Sequence, residues 1–182
     1  GRRAGDYAGL VPPGCRLLLG PSHGLLRPEF AAMREAAQAA RGPAKVQRVL
    51  VAFGLSDPHN LTGRALEGLA EKDLQVDVVL GARAPHLHAV RDIAAVLSQP
   101  ARVLCDVDDI AGLMIEADLA IGGFGTTSWE RCALGLPTIG VIAADNQRDN
   151  ARTLSDAGAA VSLAWHSEVT AKDFANALGR PL

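Results

Sequence analysis

A chain of 182 residues, 48% of them hydrophobic, is long enough to bury one good core, which excludes disorder and predicts one domain or slightly more. Its 18 Lys and Arg against 20 Asp and Glu leave a formal charge of −2, and no basic cluster is dense enough for a nucleic acid or an anionic membrane surface. Cys15, Cys105 and Cys132 are odd in number, widely spaced and set in apolar sequence, so neither a disulfide framework nor a metal site is expected, and a reducing, cytoplasmic compartment is.

Along the chain, GRRAGDYAGL at the start lacks the apolar core of a signal peptide, and no later run approaches the roughly 18 apolar residues of a membrane span. CRLLLG (15–20) has the pattern of a buried strand, and a helix is predicted through EFAAMREAAQAAR to about Arg41. The Gly-Pro pair in RGPAK (41–45) predicts a turn or short linker. From Arg48 onward, short β-branched runs alternate with amphipathic stretches, the signature of βαβ units and a parallel sheet. Strands are predicted at 48–53, 76–81, 101–105, 118–122, 138–143 and 159–164. Helices are predicted near 59–71, 86–97, 109–116, 127–135, 146–157 and 170–179, the last opened by a Thr170/Asp173 capping box. The simplest architecture is α/β, a doubly wound parallel sheet from about residue 45, preceded by a strand and helix at another domain's edge.

Open parallel sheets bind ligands at the carboxyl ends of their strands, and three predicted strand ends carry unusual loops. FGLSDPHN follows the first strand, GGFGTTSWE the fourth and AADNQRDNA the fifth. In the second of these, Gly122, Gly123, Phe124, Gly125, Thr126 and Thr127 read as a phosphate cradle of backbone N–H groups and hydroxyls, or as an ordinary tight βα turn with its cap. Glu130, one turn into the helix, is placed to accept hydrogen bonds from both ribose hydroxyls; the plainer alternative is an acid near a positive helix end or a partner for Arg131. Gly54, Ser56, Asp57 and Asn60 in the first loop read either as a ligand-side group or as an Asx turn and cap. Asn146 and Gln147 are amides suited to a sugar, or again to capping. The backbone near Val107 is placed to edge a base. No Ser-His-Asp arrangement, HExxH or P-loop occurs, and neither His23 nor His59 is a convincing general base.

Taken together, VAFGLSDPHNLT, ADLAIGGFGTTSWERCALGLPTIGV, ADNQRDNARTLSDAGAA and the early LLLGPSHGLLRPEF resemble the UDP-sugar hydrolase of pseudaminic acid biosynthesis, over about residues 15–164. That family hydrolyses UDP-2,4-diacetamido-2,4,6-trideoxy-β-L-altropyranose and is related to the GT-B glycosyltransferases. The resemblance implies a Rossmann-like C-terminal domain of a GT-B fold at 45–182. It also implies that residues 1–44 are the tail of an N-terminal Rossmann-like domain plus a linker. In its terms Gly122 to Thr127 match the pyrophosphate loop, Glu130 the ribose acid, the segment around Val107 the strip beside uracil, Asn146 an amide near the sugar, and Gly54 to Asp57 the loop beneath the phosphates. UDP or a UDP-sugar is the implied ligand, with no cofactor and no metal. The general-base histidine is expected on the missing N-terminal domain, so no catalytic residue is expected in this chain. Two other readings share these residues: the donor-binding domain of a GT-B glycosyltransferase, and a noncatalytic nucleotide-binding or partner-binding module.

Overall fold

The computed structural model describes residues 3–42, 45–97 and 101–179. Parts of the turn expected at 41–45, and the boundary drawn there, lie outside those residues. Six strands form one sheet: β1 (Arg48–Ala52), β2 (Gln75–Leu80), β3 (Ala101–Cys105), β4 (Leu119–Gly123), β5 (Thr138–Ile142) and β6 (Ala160–Trp165). Every pair is parallel and the spatial order is β3-β2-β1-β4-β5-β6. The order reverses between β1 and β4, which makes their carboxyl ends the switch point of a doubly wound sheet.

Seven α-helices accompany it among the described residues: α1 (Pro28–Ala40), α2 (Leu61–Leu69), α3 (Leu87–Val96), α4 (Ile110–Glu116), α5 (Thr127–Ala133), α6 (Arg148–Asp156) and α7 (Ala171–Ala177). Strand side chains alternate between the two faces of a sheet, and both faces here are covered. Val49, Val51, Val78, Ile121 and Ile139 point to one side, where Leu66 of α2, Val90 of α3 and Phe174 of α7 close the larger core. Leu50, Val79 and Ala120 point to the other, under Phe30 and Ala37 of α1 and Met114 of α4. Farther along that second side, Phe124 packs with Ala151 and Leu154 of α6.

One expectation from the sequence changes. CRLLLG forms no strand: residues 15–19 lack regular structure and Leu18 is 57% exposed. An apolar hexapeptide becomes a strand only where a partner ladder accepts its N–H and C=O groups, and the sheet edges β3 and β6 are not extended by it. The helix that follows is bound into this domain. The Arg41 guanidinium donates to the carbonyls of Leu134 (2.7 Å), Met114 (2.8 Å) and Ala117 (2.9 Å), and Gln38 Nε2 donates to that of Ala133 (3.0 Å). These are the carbonyls that α4 and α5 leave unpaired at their ends, so α1 is tied to both helices at once. The Thr170/Asp173 capping box is present, with Asp173 accepting from the Thr170 N–H at 2.8 Å.

Candidate functional site

The loops that leave β1, β2, β3, β4 and β5 meet on the carboxyl rim of the sheet. The only non-glycine residues with positive φ among those described, Asp57 (35°), Asn60 (49°) and Asp106 (49°), all sit on this rim. Strained backbone collects where loops are held in a set shape rather than merely joined. Asp106 lashes the β3 loop to the β2 loop by accepting from the Ala82 N–H at 3.2 Å. Gly54, with φ of 96°, turns the chain away from β1.

Asp57 and Asn60 are committed to α2. The Asp57 carboxylate is 3% exposed and accepts from the N–H groups of Leu61 (3.0 Å) and Thr62 (2.8 Å), while Asn60 accepts from Gly63 at 3.2 Å. The helix therefore begins at Leu61, two residues later than its periodicity predicts, because Asn60 takes the left-handed conformation of a cap. Ser56 is exposed in a neighbouring cleft of about 420 Å³ that also includes Gly81, Arg83 and Asp106.

The turn between β4 and α5 is clasped from below. Gln147 Oε1 accepts from both the Phe124 N–H (3.0 Å) and the Ala143 N–H (3.1 Å), and Asn150 Nδ2 donates to the Phe124 carbonyl at 3.0 Å. Gln147 thus joins the β4 and β5 ends, and the Phe124 N–H is occupied. The Phe124 ring is fully buried over Gly140, where a Cβ would overlap it. In front of the clasp, the N–H groups of Gly125, Thr126 and Thr127 find no acceptor among the described residues. Asn146 lies exposed on the 3-10 turn Asp145–Gln147.

A cleft of about 220 Å³ opens beside this turn at the β1/β4 switch point. Gly54, Val107, Thr127 and Glu130, four of the residues singled out in the sequence, line it together with Arg27, Val79 and Ile110. The apolar members supply a face on which a flat ring can rest, and Glu130 supplies an acceptor at its edge. The Glu130 side chain is only 12% exposed, and Oε1 accepts from Arg27 Nε at 3.0 Å. Arg27, the residue before α1, also pairs with Glu29 at 3.3 Å and lies 4.8 Å over the Phe30 ring.

Two arginines escaped assignment in the sequence, Arg131 entering only as a partner in the plainer alternative for Glu130. Arg27 lies 103 residues before Glu130, the side chain it pairs with, and only its place in LLRPEF hinted at it. Arg131 does not pair with Glu130, since consecutive residues of a helix point about 100° apart. Glu130 faces the cleft and Arg131 the interior, where its Nη2 donates to the Gly123 carbonyl (2.5 Å) and to Ser128 Oγ (3.2 Å). Neither His23 nor His59 lines the cleft; His59 stacks on His166 with ring centroids 3.6 Å apart. A groove of about 420 Å³ lies far from the strand carboxyl ends, beside Gly135, Pro137 and Gly158. Its one nucleophile is Cys132, whose thiol burial pushes up and so keeps protonated, despite the opposing charge of Arg131.

Fold and cleft together define a class: a Rossmann-like α/β domain with its acid-bearing crevice at the switch point, the architecture of the C-terminal half of GT-B glycosyltransferases. The chain belongs to the family of the glycosyltransferase family 28 C-terminal domain, whose profile matches residues 50–178. It is 32% identical over 153 residues to the spore coat polysaccharide biosynthesis protein SpsG of Bacillus subtilis, covering 81% of this chain and 44% of that protein. It is 34% identical over 142 residues to the UDP-N-acetylglucosamine--N-acetylmuramyl-(pentapeptide) pyrophosphoryl-undecaprenol N-acetylglucosamine transferase of Bordetella parapertussis, covering 74% and 40%. Among solved structures, MurG of Acinetobacter baumannii superimposes with a TM-score of 0.65 at 22% identity, covering 81% of this chain and 44% of that one. The kitacinnamycin glycotransferase gives a TM-score of 0.60 at 18% identity, covering 76% and 35%, and both likenesses speak for the fold. The chain spans less than half the length of these curated relatives. No described helix is long and apolar enough to cross a membrane.

Proposed function

We propose that this chain is the nucleotide-binding half of an enzyme that breaks the bond between UDP and a sugar. The observation that carries the reading is Glu130: a nearly buried carboxylate in a small, half-apolar cleft at the β1/β4 switch point, one helical turn from three unbonded backbone N–H groups. Uracil rests against Val107, Val79 and Ile110, the ribose hydroxyls donate to Glu130, and the diphosphate takes the N–H groups of Gly125, Thr126 and Thr127 with the Thr127 hydroxyl. Arg27 holds the Glu130 carboxylate in place and adds a cation at the rim. Asn146 and Ser56 flank the path along which the sugar leaves the cleft. Asp57 and Phe124 serve the site by fixing its loops and not by touching ligand, because their polar groups are already bonded within the fold, whereas Gln147 fixes the turn through Oε1 and keeps its Nε2 beside Gly125 for the ligand.

For the whole protein, the strand-end loops favour the UDP-sugar hydrolase of pseudaminic acid biosynthesis, in which water displaces UDP at the anomeric carbon with inversion. The charge that develops on the leaving diphosphate is then met by oriented backbone N–H groups at the turn. The family assignment and the identity to a Bordetella transferase support a second reading, in which the same half-site presents the UDP-sugar to an acceptor hydroxyl. In both readings residues 1–44 adjoin an N-terminal domain that carries the base and the second wall, so the 182-residue chain binds UDP and turns nothing over. Incubating the purified chain with UDP-N-acetylglucosamine and following UDP release tests this: no release is expected, and release abolished by Glu130→Ala contradicts it.

A further inference from the structure

Among the described residues Arg131 is the largest fully buried side chain, and it forms no ion pair with any of them. Its Nη2 donates to the Gly123 carbonyl and to Ser128 Oγ, and its Nε, equally buried, has no acceptor. Burial pushes the guanidinium down to about 10, with Cys132 and Glu130 opposing, so the group is still a full cation at neutral pH. A buried charge without a counter-charge is strongly unfavourable, and holding one carbonyl does not require it, since a neutral amide donates equally well. The position of the head is the second observation. A Cβ on Gly122 would fall 2.7 Å from Arg131 Nη1, so the guanidinium sits directly behind the backbone of the glycine-rich turn whose outer N–H groups are unbonded. A cation there is shielded from salt by the protein and acts on whatever occupies the front of the turn.

We propose that Arg131 is a positioning residue for a nucleoside diphosphate: it fixes the Gly123 carbonyl and supplies, from behind the turn, the positive charge whose missing partner is the ligand's diphosphate. This rests on the UDP reading and adds a residue that touches no ligand. Charge is separated from clamp by two variants of the chain, Arg131→Gln, which keeps an amide donor, and Arg131→Lys, which keeps the cation. Each is titrated calorimetrically with UDP and with uridine. The ratio of UDP to uridine affinity is expected to fall on the order of tenfold in Arg131→Gln and to stay within about threefold of wild type in Arg131→Lys, with uridine affinity little changed. An unchanged ratio in Arg131→Gln, or parallel loss of both ligands in both variants, makes Arg131 a clamp alone and overturns the proposal. A wild-type chain that binds uridine as tightly as UDP, or binds neither, overturns the nucleotide reading itself. If neither variant folds, isotope-labelled wild-type chain decides by NMR. The buried Arg131 Nε–H resonance is expected to move on adding UDP and not uridine, and a resonance unmoved at saturating UDP contradicts the proposal.

Discussion

Asp77 sits near the amino end of β2, 3% exposed, with Arg102 donating to both of its oxygens (2.6 and 2.8 Å) and Arg48 reaching one of them at 3.2 Å. Burial raises its pKa, and the hydrogen bonds and charges of the two arginines more than reverse that, so the carboxyl titrates below its ordinary value. A group whose folded pKa is depressed stabilises the fold above its unfolded pKa, about 3.9, and loses that contribution as pH falls through the folded value. Thermal midpoints of wild type should therefore decline from about pH 4 downward, and Asp77→Asn should be less stable at neutral pH with a flatter acid limb. Parallel midpoint curves for the two proteins would refute this. Asp57 tests a different contribution. Removing its two N–H acceptors in Asp57→Ala should cost about 1–3 kcal/mol in urea unfolding, because each cap is worth roughly 0.5–2 kcal/mol. The sequence offered capping and ligand binding as equal readings of Asp57, and only the bonds to Leu61 and Thr62 separate them. The place of Glu130 on the cleft was legible because its neighbours were informative; that of Arg27 was not, since ion pairs across the fold leave no local pattern.

Among the elements, the six strands from Arg48 onward followed their β-branched runs to within about a residue, and in the four inner strands this is because a strand buried on both faces is largely apolar along its length. CRLLLG shows the converse: the same composition stays irregular and partly exposed without a partner strand. α1 is the element whose attachment the sequence concealed, for a single side chain, Arg41, binds three carbonyls from two helices. Burial lowers the Arg41 pKa, with Asp118 opposing, yet leaves it a cation suited to helix ends. Arg41→Ala should destabilise the domain by about 3–5 kcal/mol, because all three hydrogen bonds from one charged group, each contributing about 1.5–3 kcal/mol and not additively, are lost together. Amide exchange should quicken in α1 and the last turns of α4 and α5 before it does in β1 and β4; uniform quickening would contradict local attachment. Gly140→Val offers a second check, because its side chain overlaps the Phe124 ring that floors the β4–α5 turn. It should unfold or markedly destabilise the chain, whereas unchanged stability would mean Phe124 is free to move.

At the scale of the whole molecule, the sheet order brings five loops from distant parts of the chain to one rim, and the cleft forms where that order reverses. The sequence made this legible through alternation of strands and helices and through three odd loops, but which loop residues face a ligand and which brace their neighbours is decided by side-chain bonds across the rim. Glu130, Thr127, Val107 and Gly54 share the cleft; Asp57 and Gln147 brace it. On the proposed function, this cleft recognises uridine diphosphate. Binding to the folded state raises stability by RT ln(1 + [L]/Kd), so even weak ligands register when supplied well above Kd. The most direct measurement is the thermal midpoint of the chain with UDP, CDP, ADP, GDP or inorganic phosphate at equal high concentration, repeated with Glu130→Gln. The largest rise is expected with UDP, little with phosphate, and loss of most of the UDP effect in the variant. Equal rises for every nucleotide, or a UDP effect that survives Glu130→Gln intact, would contradict that reading.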